Sequence, residues 1–191
     1  MNSRKYENII VLGGSGSLGR SLIPLLINDF KNIISIDIED NYSNSHKIEF
    51  IKHDLSEGFP DQALQFIENY ALGGIGLINC LGKISSHSFL SLKNSKTNHK
   101  FLFKEQINIL EKDLLNNFLI PITLSTQFAN LIVRERGFAS IVNFSSVSSY
   151  GNPGQLGYSS AKSAIEVGTK VLSKEFGQLG IRANSIAPGF I

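Results

Sequence analysis

The stretch "VLGGSGSLGR", residues 11–20, lies where an apolar run ends and a segment with helical periodicity begins. Gly14, Gly16 and Gly19 fit the spacing G-x-G-x-x-G, and Gly13, Gly16 and Gly19 fit the related spacing G-x-x-G-x-x-G. Glycine costs backbone entropy, so a cluster of glycines after a strand needs a reason. One reason is a turn that directs backbone N–H groups and a helix N-terminus at the phosphates of a nucleotide. A plain strand-to-helix turn is the alternative.

Short apolar runs alternate with longer segments of helical periodicity along the rest of the chain. The runs predict six buried strands, at 8–13, 32–38, 47–54, 75–82, 139–146 and 181–188. The segments between them predict helices at 17–28, around 63–67, across 104–136 and across 157–179. This alternation indicates an α/β fold, a doubly wound parallel sheet in a single domain spanning 1–191, with a long polar excursion at 83–104.

Composition excludes several classes of protein. With 42% hydrophobic and 18% charged residues, the chain is typical of globular proteins. A net charge of +2 and scattered basic residues predict neither a nucleic-acid nor a membrane partner, and the chain carries no signal-peptide or membrane-spanning pattern, so we expect a cytoplasmic protein. The single cysteine, Cys80, excludes internal disulfides and is interpreted as a small core residue. The four histidines (His46, His53, His87, His99) lack metal-ligand spacing, so we expect no metal.

An acidic residue follows the second predicted strand, in "SIDIED" at 35–40. Asp37 stands eighteen residues after Gly19, about where a ribose-binding acid is expected after a glycine loop. A carboxylate there accepts hydrogen bonds from the ribose hydroxyls of NAD and repels the 2′-phosphate of NADP. No Arg or Lys adjoins Asp37. The pattern favours NAD over NADP, with a solvated acid at the strand end as the alternative.

The stretch "YSSAK", residues 158–162, places a phenol and an ammonium on one helix face, because Tyr158 and Lys162 are four residues apart. A free phenol has a pKa near 10 and is a poor acid–base catalyst at neutral pH. A nearby ammonium favours the phenolate and lowers that pKa. With a serine hydroxyl beside the reacting oxygen, these groups suit hydride transfer coupled to proton transfer.

From about Asn8 to its last residue, the sequence resembles the short-chain dehydrogenase/reductase family, whose Tyr-x-x-x-Lys motif stands here as "YSSAK". The resemblance implies a Rossmann fold, with Tyr158 as general acid–base and Lys162 lowering its pKa while binding the nicotinamide ribose. The family's serine lies thirteen residues before the tyrosine, which selects Ser145 to orient and polarise the reacting oxygen, with Ser146 as the alternative.

The resemblance also implies the family's asparagine and its cofactor contacts. Asn117, rather than Asn116, matches the asparagine that holds a water linking the lysine to solvent. "NCLG" (79–82) resembles the element beside the adenosine, "HDLS" (53–56) places Asp54 at the adenine amino group, and "IAPGF" (186–190) matches a segment near the nicotinamide. The predicted cofactor-binding residues are Gly13, Ser15, Gly16, Ser17, Leu18, Gly19, Asp37, Asp54, Leu55, Asn79, Leu81, Gly82, Tyr158, Lys162, Pro188 and Gly189.

Departures from the family pattern keep two alternatives open. Leu12 replaces a threonine that ties the loop to the fourth strand, and Ser17 replaces the middle glycine. The loop spacing therefore resembles the extended branch, which includes nucleotide-sugar epimerases and dehydratases. The chain stops at Ile191, before the last strand and substrate lid of the family, so we expect a truncated chain. A catalytically silent NAD-binding protein is the second alternative.

The favoured interpretation is hydride transfer between NAD(H) and a small alcohol or carbonyl substrate. The resemblance further implies a homodimer or homotetramer assembled through the helices at 104–136 and 157–179. Tyr150 has no lysine four residues later and is expected to form a wall of the pocket.

Overall fold

Runs rich in β-branched residues form the strands of a single sheet. The computed structural model describes residues 6–39, 47–86 and 99–189, apart from the side chains of 99–102. His46, His87 and part of the 83–104 excursion lie outside these residues. The strands are β1 (Asn8–Leu12), β2 (Asn32–Asp37), β3 (Ile48–Lys52), β4 (Ile75–Asn79), β5 (Ala139–Phe144) and β6 (Ile181–Ile186). All pairings are parallel, in the order β3-β2-β1-β4-β5-β6, which confirms the predicted doubly wound sheet.

Helices connect these strands, close to where the periodicity predicts them. They are α1 (Ser17–Leu26), α2 (Asp61–Tyr70), α3 (His99–Leu114), α4 (Ile120–Arg134) and α5 (Leu156–Phe176). The helix predicted across 104–136 begins earlier, at His99, and a π-helical segment (Leu115–Leu119) separates α3 from α4. In the described part of the chain, no helix is both long and apolar enough to cross a membrane.

Both faces of the sheet are covered, because successive strand residues point to opposite sides. Ile9 and Val11 pack with Ile23 of α1 in one core cluster. Ile10 and Leu12 pack in the other cluster, with residues of α2, α4 and α5. This double burial explains why the strands read as nearly continuous apolar runs.

The strands are shorter than the sequence predicts, because each apolar run continues into a loop at the carboxyl edge. β1 ends at Leu12, which pairs with Ile36 of β2 and Asn79 of β4. The chain leaves β1 toward β2 and β3, and then crosses back to β4 on the other side of β1. Such a switch point opens a crevice at the carboxyl ends of the strands, where ligands of α/β proteins bind.

Candidate active site

Two cavities open along this carboxyl edge. The β5-side cavity has a volume of about 450 Å³, and the β2-side cavity about 340 Å³. The first is lined by Gly16, Ser17, Leu18, Cys80, Leu81, Gly82, Lys83, Ile84, Phe144, Ser145, Ser146, Val147, Ser148, Gln155, Tyr158, Lys162, Pro188 and Gly189. The second is lined by Asp37, Ile38, His53, Asp54, Leu55, Ser56, Leu81, Gly82, Lys83, Lys112, Asn116 and Ile120. They share the three residues Leu81, Gly82 and Lys83.

The glycine loop is held against the sheet by its own backbone. The Gly13 N–H donates to Ile36 O (2.9 Å), and the Gly16 N–H donates to Gly13 O (3.3 Å). A Cβ at Gly19 would lie 2.5 Å from Gly13 O, so only glycine allows α1 to start this close to the loop. Leu12 has no side-chain hydroxyl that could tie the loop to β4. Its backbone carbonyl makes a link there instead, by accepting from the N–H of Cys80, the residue after β4 (2.9 Å).

Asp37 connects the end of β2 to the glycine loop. Its Oδ2 accepts from the Ser15 N–H (2.9 Å), and its Oδ1 accepts from the Glu39 N–H (3.3 Å). The Ser15 hydroxyl donates to Glu39 O (2.7 Å) and so closes the same contact. A carboxylate has about four lone-pair positions, so acceptor capacity remains on the side that lines the β2-side cavity.

The turn after β3 supplies a second carboxylate to the β2-side cavity. Asp54 caps the short turn Leu55–Glu57, where its Oδ1 accepts from the Ser56 N–H (2.9 Å). This hydrogen bond lowers the pKa of the exposed Asp54 carboxyl below its ordinary value. Leu55 lies beside it in the cavity wall, and the His53 ring nitrogen Nε2 is 3.1 Å from Gly58 O.

Asn117 joins the π-helical segment to the loop after β4. Its Oδ1 accepts from the Lys83 N–H (2.8 Å), and its Nδ2 is within hydrogen-bond distance of Lys83 O (3.1 Å) and Asp113 O (3.0 Å). A Cβ at Gly82, whose φ is +153°, would lie 2.8 Å from Lys162 Nζ and 3.0 Å from Asn117 Oδ1. Asn117 and Lys162 therefore meet at Gly82, whereas Asn116 lines the β2-side cavity. Helices of the π type often occur at functional sites.

Lys162 is a buried cation at the base of the β5-side cavity, with 4% of the residue exposed. Its ammonium donates to Phe144 O (2.9 Å) and Leu81 O (3.3 Å), and it lies 5.9 Å from the centre of the Tyr158 ring. Burial lowers the pKa of Lys162 to about 8. Burial also raises the pKa of the neighbouring Cys80 thiol to about 12, so this thiol is neutral at physiological pH.

The two candidate serines differ in what their hydroxyls face. The Ser145 Oγ is 2.7 Å from Glu166 Oε1 and 3.0 Å from Lys162 O, and the residue is 4% exposed. A hydroxyl has one proton, so Ser145 donates to one of these internal acceptors. The Ser146 Oγ accepts from the Ser148 N–H (3.1 Å) in a half-buried position. Both serines line the cavity.

Glu166 is a site residue that the sequence analysis missed. The same oxygen that accepts from Ser145 also accepts from the Ser149 hydroxyl (2.7 Å), so one carboxylate holds both ends of the segment after β5. Glu166 lies one helical turn beyond Lys162 and two beyond Tyr158 on α5. That spacing is the signal that could have found it.

The remaining predicted residues divide between lining and support. Pro188 and Gly189 line the β5-side cavity, where the Val147 N–H donates to Pro188 O (3.0 Å). Five predicted residues line neither cavity and support the walls from behind: Gly13, Ser15, Gly19, Asn79 and Asn117. Asn79, for example, donates from Nδ2 to Pro121 O (2.9 Å) and accepts the Leu81 N–H at Oδ1 (3.2 Å). The prediction for Tyr150 is wrong: the residue is 87% exposed and lies outside the cavity wall.

The strand order and the crevice at the switch point between β1 and β4 define the class of Rossmann-fold proteins. The family described as short chain dehydrogenase matches residues 7–191 of the sequence. The chain belongs to this family, which confirms the resemblance that the motifs indicate.

Individual relatives agree with this assignment. The sorbitol-6-phosphate 2-dehydrogenase of Klebsiella pneumoniae is 28% identical over 194 residues, which cover 98% of this chain and 70% of that protein. The short-chain reductase protein NovJ of Streptomyces niveus is 48% identical over 59 residues, 31% of this chain and only 22% of that protein.

Solved structures give the same fold. A 4-hydroxyisoleucine dehydrogenase complexed with NADH and succinate is 26% identical, with a TM-score of 0.73, covering 95% of this chain and 78% of that one. ElxO with NADP bound is similar in fold, with 22% identity and a TM-score of 0.72 over 97% of this chain and 74% of that one. Structural neighbours therefore bind NAD(H) or NADP(H).

Proposed function

We propose that this chain forms the cofactor-binding and catalytic part of an NAD(H)-dependent oxidoreductase that acts on a small alcohol or carbonyl compound. The observation that carries the proposal is the buried Lys162 ammonium beside Tyr158, in a cavity that is also lined by Gly16 of the glycine loop. A binding protein without catalysis has no need for a phenol at this place.

The described residues fit a dinucleotide. Gly16 precedes α1 as its capping residue and makes no side-chain capping bond, so the first-turn N–H groups at the cavity wall are available to an anion. The two cavities are of the size that holds small ligands and are joined through Leu81, Gly82 and Lys83. Asp37 would bind the adenosine ribose, and Asp54 and Leu55 would contact the adenine. Gly16, Ser17 and Leu18 would hold the diphosphate, and Pro188 and Gly189 would flank the nicotinamide.

When bound, the nicotinamide cofactor accepts or supplies the hydride, and the chain's own residues move the proton. Tyr158 would give a proton to a carbonyl oxygen, or take one from an alcohol. The positive charge of Lys162 would stabilise the negative charge that develops on the Tyr158 oxygen when the proton is transferred. The carbonyls of Phe144 and Leu81 fix the ammonium where it acts on the phenol.

Ser146 and Ser145 would share the placement of the reacting oxygen. Because the Ser145 proton is directed to Glu166 or Lys162 O, Ser145 can accept from an alcohol but does not freely donate to a carbonyl oxygen. The Ser146 hydroxyl accepts from Ser148 and keeps its proton for a ligand. Asn117 would hold the Gly82–Lys83 corner against Lys162 and bind a water that links Lys162 to solvent.

NAD is the preferred cofactor in this proposal, because a carboxylate at Asp37 repels a 2′-phosphate. Calorimetric titration of the chain with NAD(H) and NADP(H) tests it, using wild type, Asp37→Asn and Asp37→Ala. Asp37→Asn keeps an acceptor for the Ser15 N–H and removes the charge, so we expect weaker NADH binding and a smaller preference over NADPH. Asp37→Ala also frees the loop and should lose NADH binding altogether. Wild type that binds neither nucleotide would refute the proposal.

The named relatives are dehydrogenases and reductases, which favours hydride transfer over nucleotide-sugar chemistry. One relative is named for a sugar phosphate, and one structural neighbour is complexed with succinate. Hydroxyl- or carbonyl-bearing sugar phosphates and carboxylic acids are therefore the first compounds to screen as substrates.

We also propose that the chain forms a homodimer or homotetramer through its long helices. Exposed apolar pairs four residues apart lie at Leu115 and Leu119, and at Val167 and Val171 on α5. Light scattering coupled to gel filtration should show an oligomer that the double change Val167→Glu/Val171→Glu dissociates. Leu25→Glu, at an exposed leucine of α1, is the control and should leave the mass unchanged.

A further inference from the structure

We propose that Lys83 is an additional cofactor-binding residue, whose ammonium pairs with the diphosphate of the dinucleotide. This inference rests on the proposed function. Neither the glycine-loop pattern nor the motifs around Tyr158 assign a role to Lys83.

The position of Lys83 follows from the route between the two cavities. Lys83 lines both of them, as do Leu81 and Gly82. A dinucleotide with its adenosine in the β2-side cavity and its nicotinamide in the β5-side cavity must cross these three residues. The diphosphate is the part of the molecule that joins the two nucleosides, so it is the part that crosses.

The backbone of Lys83 is fixed at this crossing. Asn117 binds its N–H (2.8 Å) and its carbonyl (3.1 Å), and the preceding Gly82 packs against Lys162 and Asn117. Lys83 therefore extends an exposed side chain from an anchored peptide. Little backbone ordering is needed when an anion binds there.

The charges around the crossing favour an anion at Lys83. Lys83 forms no ion pair within the described ranges 6–39, 47–86 and 99–189. Among the described residues, the β5-side cavity wall contains no acidic residue, and its cations are the buried Lys162 and the exposed Lys83. In the β2-side cavity, Asp37 and Asp54 repel a dinucleotide that carries two negative charges. A cation at the junction offsets this repulsion.

Lys112 provides a matched control. It is an exposed lysine that lines the β2-side cavity but not the β5-side cavity. Removing either lysine changes the net charge by the same amount, so a general effect of charge on cofactor affinity is equal for the two. A local pairing with the diphosphate is lost only with Lys83.

The experiment is calorimetric titration of the full chain with NADH, NADPH, ADP-ribose and adenosine, for wild type, Lys83→Met, Lys83→Arg and Lys112→Met. Loss of a hydrogen bond between charged groups typically weakens binding by about tenfold or more. We therefore expect Lys83→Met to weaken NADH and ADP-ribose binding by about tenfold. Adenosine binding should be unchanged. Lys83→Arg should stay within about threefold of wild type, Lys112→Met within about twofold, and the deficit of Lys83→Met should shrink in high salt.

Each other outcome overturns the inference. An equal loss in Lys83→Met and Lys112→Met would indicate a general charge effect. A loss confined to NADPH would assign Lys83 to the 2′-phosphate, and no loss for any nucleotide would remove it from the cofactor site. If wild type fails to bind NADH, the proposed function is refuted together with the role of Lys83. If wild type binds NADH and Lys83→Met binds it equally well, only the role of Lys83 is refuted. Thermal melts of the variants confirm that they remain folded.

Discussion

The two cavities at the carboxyl edge differ in how their polar groups are satisfied. On the β5 side, Lys162 and Ser145 are buried and donate to internal partners: two carbonyls for the ammonium, and Glu166 or Lys162 O for the hydroxyl. On the β2 side, Asp54 is exposed and Asp37 half-buried, and their partners are nearby backbone N–H groups. Burial strengthens electrostatic interactions and shifts pKa values, whereas solvent screens them. Chemistry is therefore expected on the β5 side and recognition on the β2 side.

The largest expected difference concerns Tyr158. Tyr158→Phe removes the proton donor, which is typically worth about 10² to 10⁴ in rate, while the cofactor affinity should stay within about twofold. The measurement is the turnover of any alcohol or carbonyl compound that wild type converts, with NADH titration of the same variant. Comparable turnover by Tyr158→Phe would contradict the division between the two cavities.

The serines sharpen the comparison within the β5 side. If Ser146 donates to the carbonyl oxygen, Ser146→Ala should reduce carbonyl reduction by about a hundredfold, as loss of a donor to a developing oxyanion does. Ser145→Ala should also leave a Glu166 contact unfilled and lower thermal stability. If Ser145→Ala loses more rate than Ser146→Ala and its melting temperature is unchanged, the result would indicate that Ser145, not Ser146, contacts the substrate oxygen.

The pH dependence of stability tests how deeply Lys162 is buried. Its pKa falls from 10.5 to about 8 on folding, so between these pH values the unfolded chain binds more protons than the folded one. The free energy of unfolding should therefore rise with pH across this window, by up to roughly 3 kcal/mol. Below the window Lys162 is charged in the folded state, and the cost of burying the charge lowers the stability by the full amount.

Lys162→Met removes this dependence. Between about pH 7 and pH 10, we expect the free energy of unfolding of wild type to rise relative to that of Lys162→Met. Urea denaturation at both pH values measures it. Lys170→Met, which removes an exposed lysine of the same helix, is the control. A pH-independent difference for Lys162→Met would mean that Lys162 is solvated.

The smallest effect is expected on the β2 side. Asp54→Asn keeps an acceptor for the Ser56 N–H and changes only an exposed charge, so NADH affinity should change by less than about threefold. The same calorimetry measures it beside Asp37→Ala, where binding should be lost. A loss above about tenfold in Asp54→Asn would show that the β2-side cavity depends on this carboxylate as strongly as on Asp37.

The fold class and the family follow from the amino-acid sequence alone. Alternating strands and helices require a parallel sheet covered on both faces. The glycine spacing in 13–19 and the four-residue spacing of Tyr158 and Lys162 are local patterns, which can be recognised without knowing how the chain packs. The predicted strands extend one to three residues too far, because the apolar runs continue into the loops at the carboxyl edge. Hydropathy alone cannot separate these loops from the strands.

Which of several similar residues come into contact depends on the tertiary structure. Ser145 and Ser146 are adjacent and chemically identical, but successive residues of an extended chain point to opposite sides, so the Ser145 hydroxyl meets Glu166 and the Ser146 hydroxyl accepts from the Ser148 N–H. Asn117 rather than Asn116 meets Gly82 because of its rotation around the helix. Tyr150, expected in the wall, points to solvent, and Lys83 gains its place only when the loop after β4 folds against Asn117. These contacts join residues far apart in the chain, and no local pattern specifies them.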